Sequence, residues 1–113
     1  MRTREIPKSG ELLPVIGLGT WQTFDTRELL PLREVTSGFF DAGCRVIDSS
    51  PMYGRAEETV GKLVTQPHAF LASKVWTQGK REGEAQLKRS MQLMGRTQGF
   101  DLMQVHNLVD VDV

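Results

Sequence analysis

Only one cysteine, Cys44, stands among the 113 residues, so no intramolecular disulfide can form and no cysteine pair offers metal-ligand spacing. The composition suits a reducing compartment, with Cys44 read as a small buried apolar residue beside Val46. An excess of one charge is also missing, because 14 Lys plus Arg balance 14 Asp plus Glu. No net field draws the chain to nucleic acid or to an anionic membrane surface. Long hydrophobic runs are absent, and no window approaches the ~18 consecutive apolar residues of a membrane span. The opening "MRTREIPKSGELLP" contains no apolar stretch of the signal-peptide kind. The expectation is a soluble, cytoplasmic chain. Repeats and low-complexity tracts are missing too. The length suits a single domain over residues 1–113, since domains of roughly 100–150 residues are the commonest size.

What is present is an alternation of two periodicities. "REIPKSGELLP" carries a Ser-Gly turn signal between short segments and predicts a leading hairpin. "VIGLGT", residues 15–20, predicts a buried strand. A helix is expected from Leu30 to Ala42, with Leu32, Val35 and Phe39 on one face, Pro31 in the first turn and Gly43 ending it. "CRVID" gives a second strand. Residues 56–64 give a short helix with Glu57 and Glu58 favourable at its N-terminus and Val60, Leu63 and Val64 on its apolar face. A strand at 69–75, a helix from Glu82 to Met94 and a strand at 101–106 complete the series.

The order βαβαβαβ after a hairpin, with near-continuous apolar strands, argues an α/β fold with a parallel sheet covered by helices. An open doubly wound sheet would usually carry a glycine-rich nucleotide turn after its first strand, and "GLGTWQ" has neither that motif nor the phosphate-binding lysine. A (β/α)8 barrel instead gathers its chemistry at the C-terminal ends of several strands. Those ends carry Thr20 and Trp21, then Asp48, then Lys74 and Trp76, then His106 and Asn107. A carboxylate, an ammonium and an imidazole on one face are costly to bury unless they pair. Each also has an ordinary reading: Asp48 as a turn cap, Lys74 as a solvated strand end, His106 as a structural hydrogen bonder, Tyr53 and both tryptophans as packing groups. Spacing alone leaves a shared site and separate structural roles both open.

"GLGTW", "VIDSSPMYG", "ASKVW" and "MQVHN" together resemble, in order and separation, the motifs of the aldo/keto reductases, NADPH-dependent (β/α)8 TIM-barrel oxidoreductases. The resemblance covers nearly the whole chain. It implies a catalytic tetrad of Asp48, Tyr53, Lys74 and His106. Tyr53 would be the general acid that protonates the carbonyl oxygen of an aldehyde or ketone during reversible reduction to an alcohol. A free tyrosine, with a reference pKa of about 10, is a reluctant acid. The Lys74 ammonium would favour the phenolate, Asp48 would hold Lys74, and His106 would hydrogen-bond the carbonyl oxygen. The resemblance also places Gly19, Thr20, Trp21 and Asp48 near the nicotinamide. Trp21, Trp76, His106 and Asn107 would line the substrate pocket, and no metal is implied.

A closed barrel needs eight parallel strands and typically ~250 residues, whereas four strands are legible here. The expectation is therefore the N-terminal half of the barrel, a truncated form lacking most of the cofactor-binding half. Its two strand edges would be unpaired, with self-association through the open barrel edges as one outcome. A small-molecule carbonyl substrate is the expected partner, without nucleic acid or membrane. The rival reading is a truncated, non-catalytic half barrel that folds only by oligomerising or is a remnant. A third is an unrelated parallel α/β protein whose polar strand ends only cap turns.

Overall fold

The structure is a computed structural model that describes residues 1–108 and 110. An antiparallel hairpin, β1 (Thr3–Glu5) with β2 (Leu12–Pro14), leads into a four-stranded parallel sheet. The sheet runs in the order β3 (Gly17–Gly19), β4 (Val46–Asp48), β5 (Phe70–Val75), β6 (Leu102–Val105). Helices α1 (Leu30–Asp41), α2 (Ala56–Leu63) and α3 (Lys80–Leu93) make the crossovers. Sequential parallel neighbours joined by helices are the (β/α) repeat of a barrel wall, as the sequence predicts. The first barrel strand is shorter than the expected 15–20, because Val15 donates its amide to Arg2 in the hairpin instead of to the sheet.

The register fixes which side chains share a face. Gly19, Asp48, Ala72 and Leu102 are aligned across the sheet, as are Lys74 and Gln104. Side chains alternate along a strand, so these residues lie on one face and Leu18, Ile47, Leu71 and Ser73 on the other. The second face meets the helices: Ile47, Leu71, Ala56, Val60, Ala69, Met94 and Phe24 form the buried core. The first face, which corresponds to the interior of a barrel, is where the polar groups sit. At its lower end Arg45 ties the hairpin to the sheet, donating to Glu11 Oε1 at 2.8 Å and to the Leu12 carbonyl at 2.9 Å.

Three details differ from the periodicity. On α1 the buried position falls on Thr36, whose hydroxyl donates to the Leu32 carbonyl, and Val35 is exposed. α3 starts at Lys80, two residues before the expected Glu82. Glu57 is not a solvated helix-dipole residue but is 3% exposed. Its carboxyl receives the Ser73 hydroxyl at 2.5 Å and the Ser90 hydroxyl at 2.9 Å, joining α2, β5 and α3 behind the sheet. The N-terminal turn of α2 is served instead by Asp25, whose Oδ1 accepts the Arg55 amide at 2.9 Å.

Burial raises the Glu57 pKa above its ordinary value of 4.5, only partly offset by the two serine hydroxyls and the charges of Lys74 and Arg89. A raised folded-state pKa makes the protonated form the stabilising one. That contribution is full below 4.5 and is lost as pH rises through the raised value. Urea midpoints should therefore show wild type gaining stability on Glu57→Gln as pH is lowered from neutral. A difference that stays flat with pH would contradict the burial of the carboxyl. A second prediction concerns Gly61 of α2, where any Cβ would overlap the Leu93 carbonyl at the end of α3. Gly61→Ala is expected to cost about 1–3 kcal/mol, the usual range for overpacking, and an unchanged urea midpoint would contradict this close approach.

Candidate active site

The last residues of the barrel strands, and those just after them, lie at one end of the sheet. β4 delivers Asp48, whose backbone carbonyl accepts both the amide and the hydroxyl of Thr20, at 3.1 and 2.9 Å. Thr20 is fully buried, and its hydroxyl, having given its proton to Asp48, lies 2.9 Å from Ser49 Oγ, which can donate to it, so the ends of β3 and β4 are locked together. β5 delivers Lys74, whose ammonium donates to Asp48 Oδ2 at 2.7 Å and to the Ser49 carbonyl at 2.7 Å. The Lys74 side chain is 11% exposed and that of Asp48 39%, so the pair sits at the lip of the sheet and not in open water. The other carboxylate oxygen, Asp48 Oδ1, accepts the Gln104 amide from β6 at 2.9 Å.

The "SSPMYG" loop then turns back on itself. The Ser50 carbonyl accepts the Tyr53 amide at 3.1 Å, and the Tyr53 carbonyl accepts the Ala56 amide at 3.1 Å, carrying the chain directly into α2. Gly54 makes this turn at φ +61°, with the Asp25 carboxylate packed where a Cβ would stand. No other residue type fits both conditions. The turn holds the Tyr53 ring over Lys74, whose Nζ lies 5.0 Å from the ring centroid. β6 ends by passing the His106 amide to the Val75 carbonyl at 2.9 Å. The imidazole stands edge to face with Tyr53 at 6.1 Å and tilted over Trp76 at 5.4 Å, with Nδ1 3.3 Å from Ser50 Oγ.

Asp48, Tyr53, Lys74 and His106 are thus brought together from three strand ends and one loop. Trp76 joins them through His106, and its backbone is pinned by Gln86, which accepts the Trp76 amide at 2.7 Å. Gly19 borders Asp48 in register, and nothing stands within 4 Å of the place its Cβ would occupy. Trp21 is 64% exposed at the same end. Asn107 is exposed just beyond His106 with φ 58°. Thr20 lies under the site, with its hydroxyl turned to Asp48 and Ser49. Sequence reasoning missed Gln104, two residues before His106 and so on the same face, and Ser49 and Ser50, read only as part of a linking loop. Among the described residues no group of three or more His, Cys, Asp or Glu is placed to hold a metal ion. The arrangement gathers a phenol, a hydrogen-bonded ammonium over its ring and an imidazole edge to face with it.

Helix-covered parallel strands in sequential order, with their polar residues at one end, make one side of a (β/α)8 barrel. The chain belongs to the aldo/keto reductase family, whose model matches residues 15–112. It is similar to an aldehyde reductase of Saccharomyces cerevisiae, 30% identical over 92 residues that make up 77% of this chain and 28% of that protein. It is similar also to a methylglyoxal reductase of Yersinia pestis, 30% identical over 103 residues, 86% of this chain and 35% of that one. An aldo-keto reductase from Klebsiella pneumoniae, solved in complex with NADPH, superimposes with a TM-score of 0.76 at 29% identity. That match covers 94% of this chain and 40% of the other. The chain spans about a third of the length of the curated relatives it matches.

Gln104→Leu keeps the volume on the sheet but leaves Asp48 Oδ1 without its donor. It is expected to lower stability by about 1 kcal/mol, the net worth of an ordinary hydrogen bond, in urea unfolding. An unshifted midpoint would mean that water serves Oδ1 equally well.

Proposed function

We propose that this chain supplies the proton-handling half of an NADPH-dependent carbonyl reductase, which interconverts an aldehyde or ketone and its alcohol. The observation that carries the reading is the convergence of Asp48, Tyr53, Lys74 and His106 at one end of the sheet, with Lys74 Nζ bonded to Asp48 and set over the Tyr53 ring. Nothing in a scaffold requires a phenol, an ammonium, a carboxylate and an imidazole together at strand ends.

The residues present fit the nicotinamide end of such a cofactor. Gly19 leaves open space beside Asp48, and the carboxylate is part exposed, so a flat ring has room over the sheet lip. Gly19, Trp21 and Asp48 would border it, with Thr20 holding the backbone beneath them. No residue of this chain is assigned to the 2′-phosphate. When bound, the reduced nicotinamide supplies the hydride.

The chain's own groups do the rest. As negative charge develops on the carbonyl oxygen, Tyr53 gives it the phenolic proton. The Lys74 ammonium stabilises the phenolate left behind, and Asp48 together with the Ser49 carbonyl keeps that ammonium in place. His106 donates a hydrogen bond to the same oxygen and fixes its direction. Trp76, tilted against His106, and the exposed Trp21 present apolar surface to the substrate, with Asn107 at the rim. In the reverse direction the phenolate takes the alcohol proton.

A second reading, a non-catalytic half barrel that self-associates, is favoured by one observation. β3 and β6 are the outer strands of the sheet, and the apolar Val15, Ile16, Leu102 and Val105 beside them are exposed. An NADPH titration followed by tryptophan fluorescence, with oligomeric state measured in the same sample, separates the two. Saturable quenching and carbonyl-dependent NADPH oxidation are expected. Tyr53→Phe should keep the quenching and lose at least about a hundredfold in turnover, the typical share of general acid catalysis. A folded sample without quenching, or a Tyr53→Phe variant with wild-type turnover, would overturn the proposal.

A further inference from the structure

We infer that Ser50 sets the tautomer of His106, making it a positioning residue for the reaction proposed above. The consequence for turnover rests on that reading, whereas the tautomer itself does not. Ser50 is fully buried, so its hydroxyl has only protein partners to choose from. A hydroxyl has one proton to give and lone pairs to receive. Ser50 Oγ already receives the Met52 amide at 3.2 Å. Its other neighbour within hydrogen-bond distance is His106 Nδ1 at 3.3 Å.

Two arrangements are compatible with that distance. If Nδ1 carried the proton, it would donate to Ser50 Oγ, and the serine proton would be left inside the protein without an acceptor among the described residues. A buried donor without a partner costs roughly 1–3 kcal/mol. If Nδ1 is bare, it accepts the serine proton, and Ser50 and Nδ1 are both satisfied. The second arrangement wins, and it leaves the proton of the neutral ring on Nε2. His106 is half-buried between Tyr53 and Trp76, so its Nε2–H is the donor available to a carbonyl oxygen.

Ser50 acts on both donors of the site. The Ser50 carbonyl, through the Tyr53 amide, shapes the loop that carries Tyr53. Its hydroxyl orients the imidazole that shares the substrate with Tyr53. One residue therefore aligns the proton donor and the hydrogen-bond donor on a single oxygen.

The ring nitrogens report the tautomer directly by 15N NMR of the intact chain in mildly alkaline solution, where the neutral form of imidazole prevails. His68 and His106 are the only histidines, and a His68→Gln spectrum assigns them. Wild type is expected to show a protonated Nε2 and a pyridine-like Nδ1 for His106. Ser50→Ala is expected to abolish that bias, giving averaged nitrogen shifts. It should also lower kcat for carbonyl reduction about tenfold, one neutral hydrogen bond's worth, with NADPH quenching unchanged. A protonated Nδ1 in wild type, or ring shifts identical in Ser50→Ala, would overturn the inference. Should neither protein turn over a carbonyl, the function proposed above fails while the ring spectra still decide the tautomer.

Discussion

Asp48 bonds to groups of every other strand of the sheet, or just after it, at the end where the polar residues gather. Its backbone carbonyl holds Thr20 after β3, its Oδ2 receives Lys74 of β5, and its Oδ1 receives Gln104 of β6. A carboxylate straight after the apolar Val46 and Ile47 is thus the node where four strand ends are tied. Desolvating an ammonium and a carboxylate is unfavourable unless each finds partners. Lys74 has both Asp48 and the Ser49 carbonyl, while Asp48 has Lys74 and Gln104. The pair is satisfied, and its geometry places the ammonium over the Tyr53 ring.

The opposite face follows a different logic. Ile47 and Leu71, one residue out of phase with Asp48 and Ala72, bury against α2 and the residues around it. Glu57 reaches the same side through Ser73, the neighbour of Lys74 along β5. The strand that presents the ammonium inward is therefore anchored outward by a buried carboxyl. Rigid strands with polar ends held by hydrogen bonds are what a preorganised site needs. On the inner face the central Ala72 is buried, but at the outer strand β6 Leu102 is exposed. That accords with a chain that superimposes on 40% of the Klebsiella pneumoniae structure.

Much of this was legible in the residues. Element order and the polar residues at the four strand ends followed from apolar periodicity and the alternation of strands with helices, whereas spacing alone left open whether Asp48, Lys74 and His106 share a site, and only the family resemblance implied that they do. The family resemblance identified Tyr53 as their companion, and the Gly54 turn explains how a loop residue reaches them. The misses have physical causes. Periodicity put Val35 on the buried face of α1, but Thr36 can bury because its hydroxyl bonds back to Leu32. Glu57 looked like a helix-dipole residue because charge beside an N-terminus is usually solvated. Its partners Ser73 and Ser90 lie 16 and 33 residues away, beyond any local pattern. The Ser50–His106 contact spans 56 residues and forms only when β4 and β6 are placed in one sheet.

The organising role of the Asp48–Lys74 pair is open to a double-mutant cycle with Asp48→Asn and Lys74→Met, read by urea unfolding of the four proteins. Exposed ion pairs couple by roughly 0.2–1 kcal/mol, and a pair that organises four strand ends should exceed that range. The expected result is a coupling above about 1 kcal/mol, with the double variant less destabilised than the two single variants sum to. Additive effects would show that the strand ends assemble independently of the pair, and Asp48 would then not be the node on which the site depends.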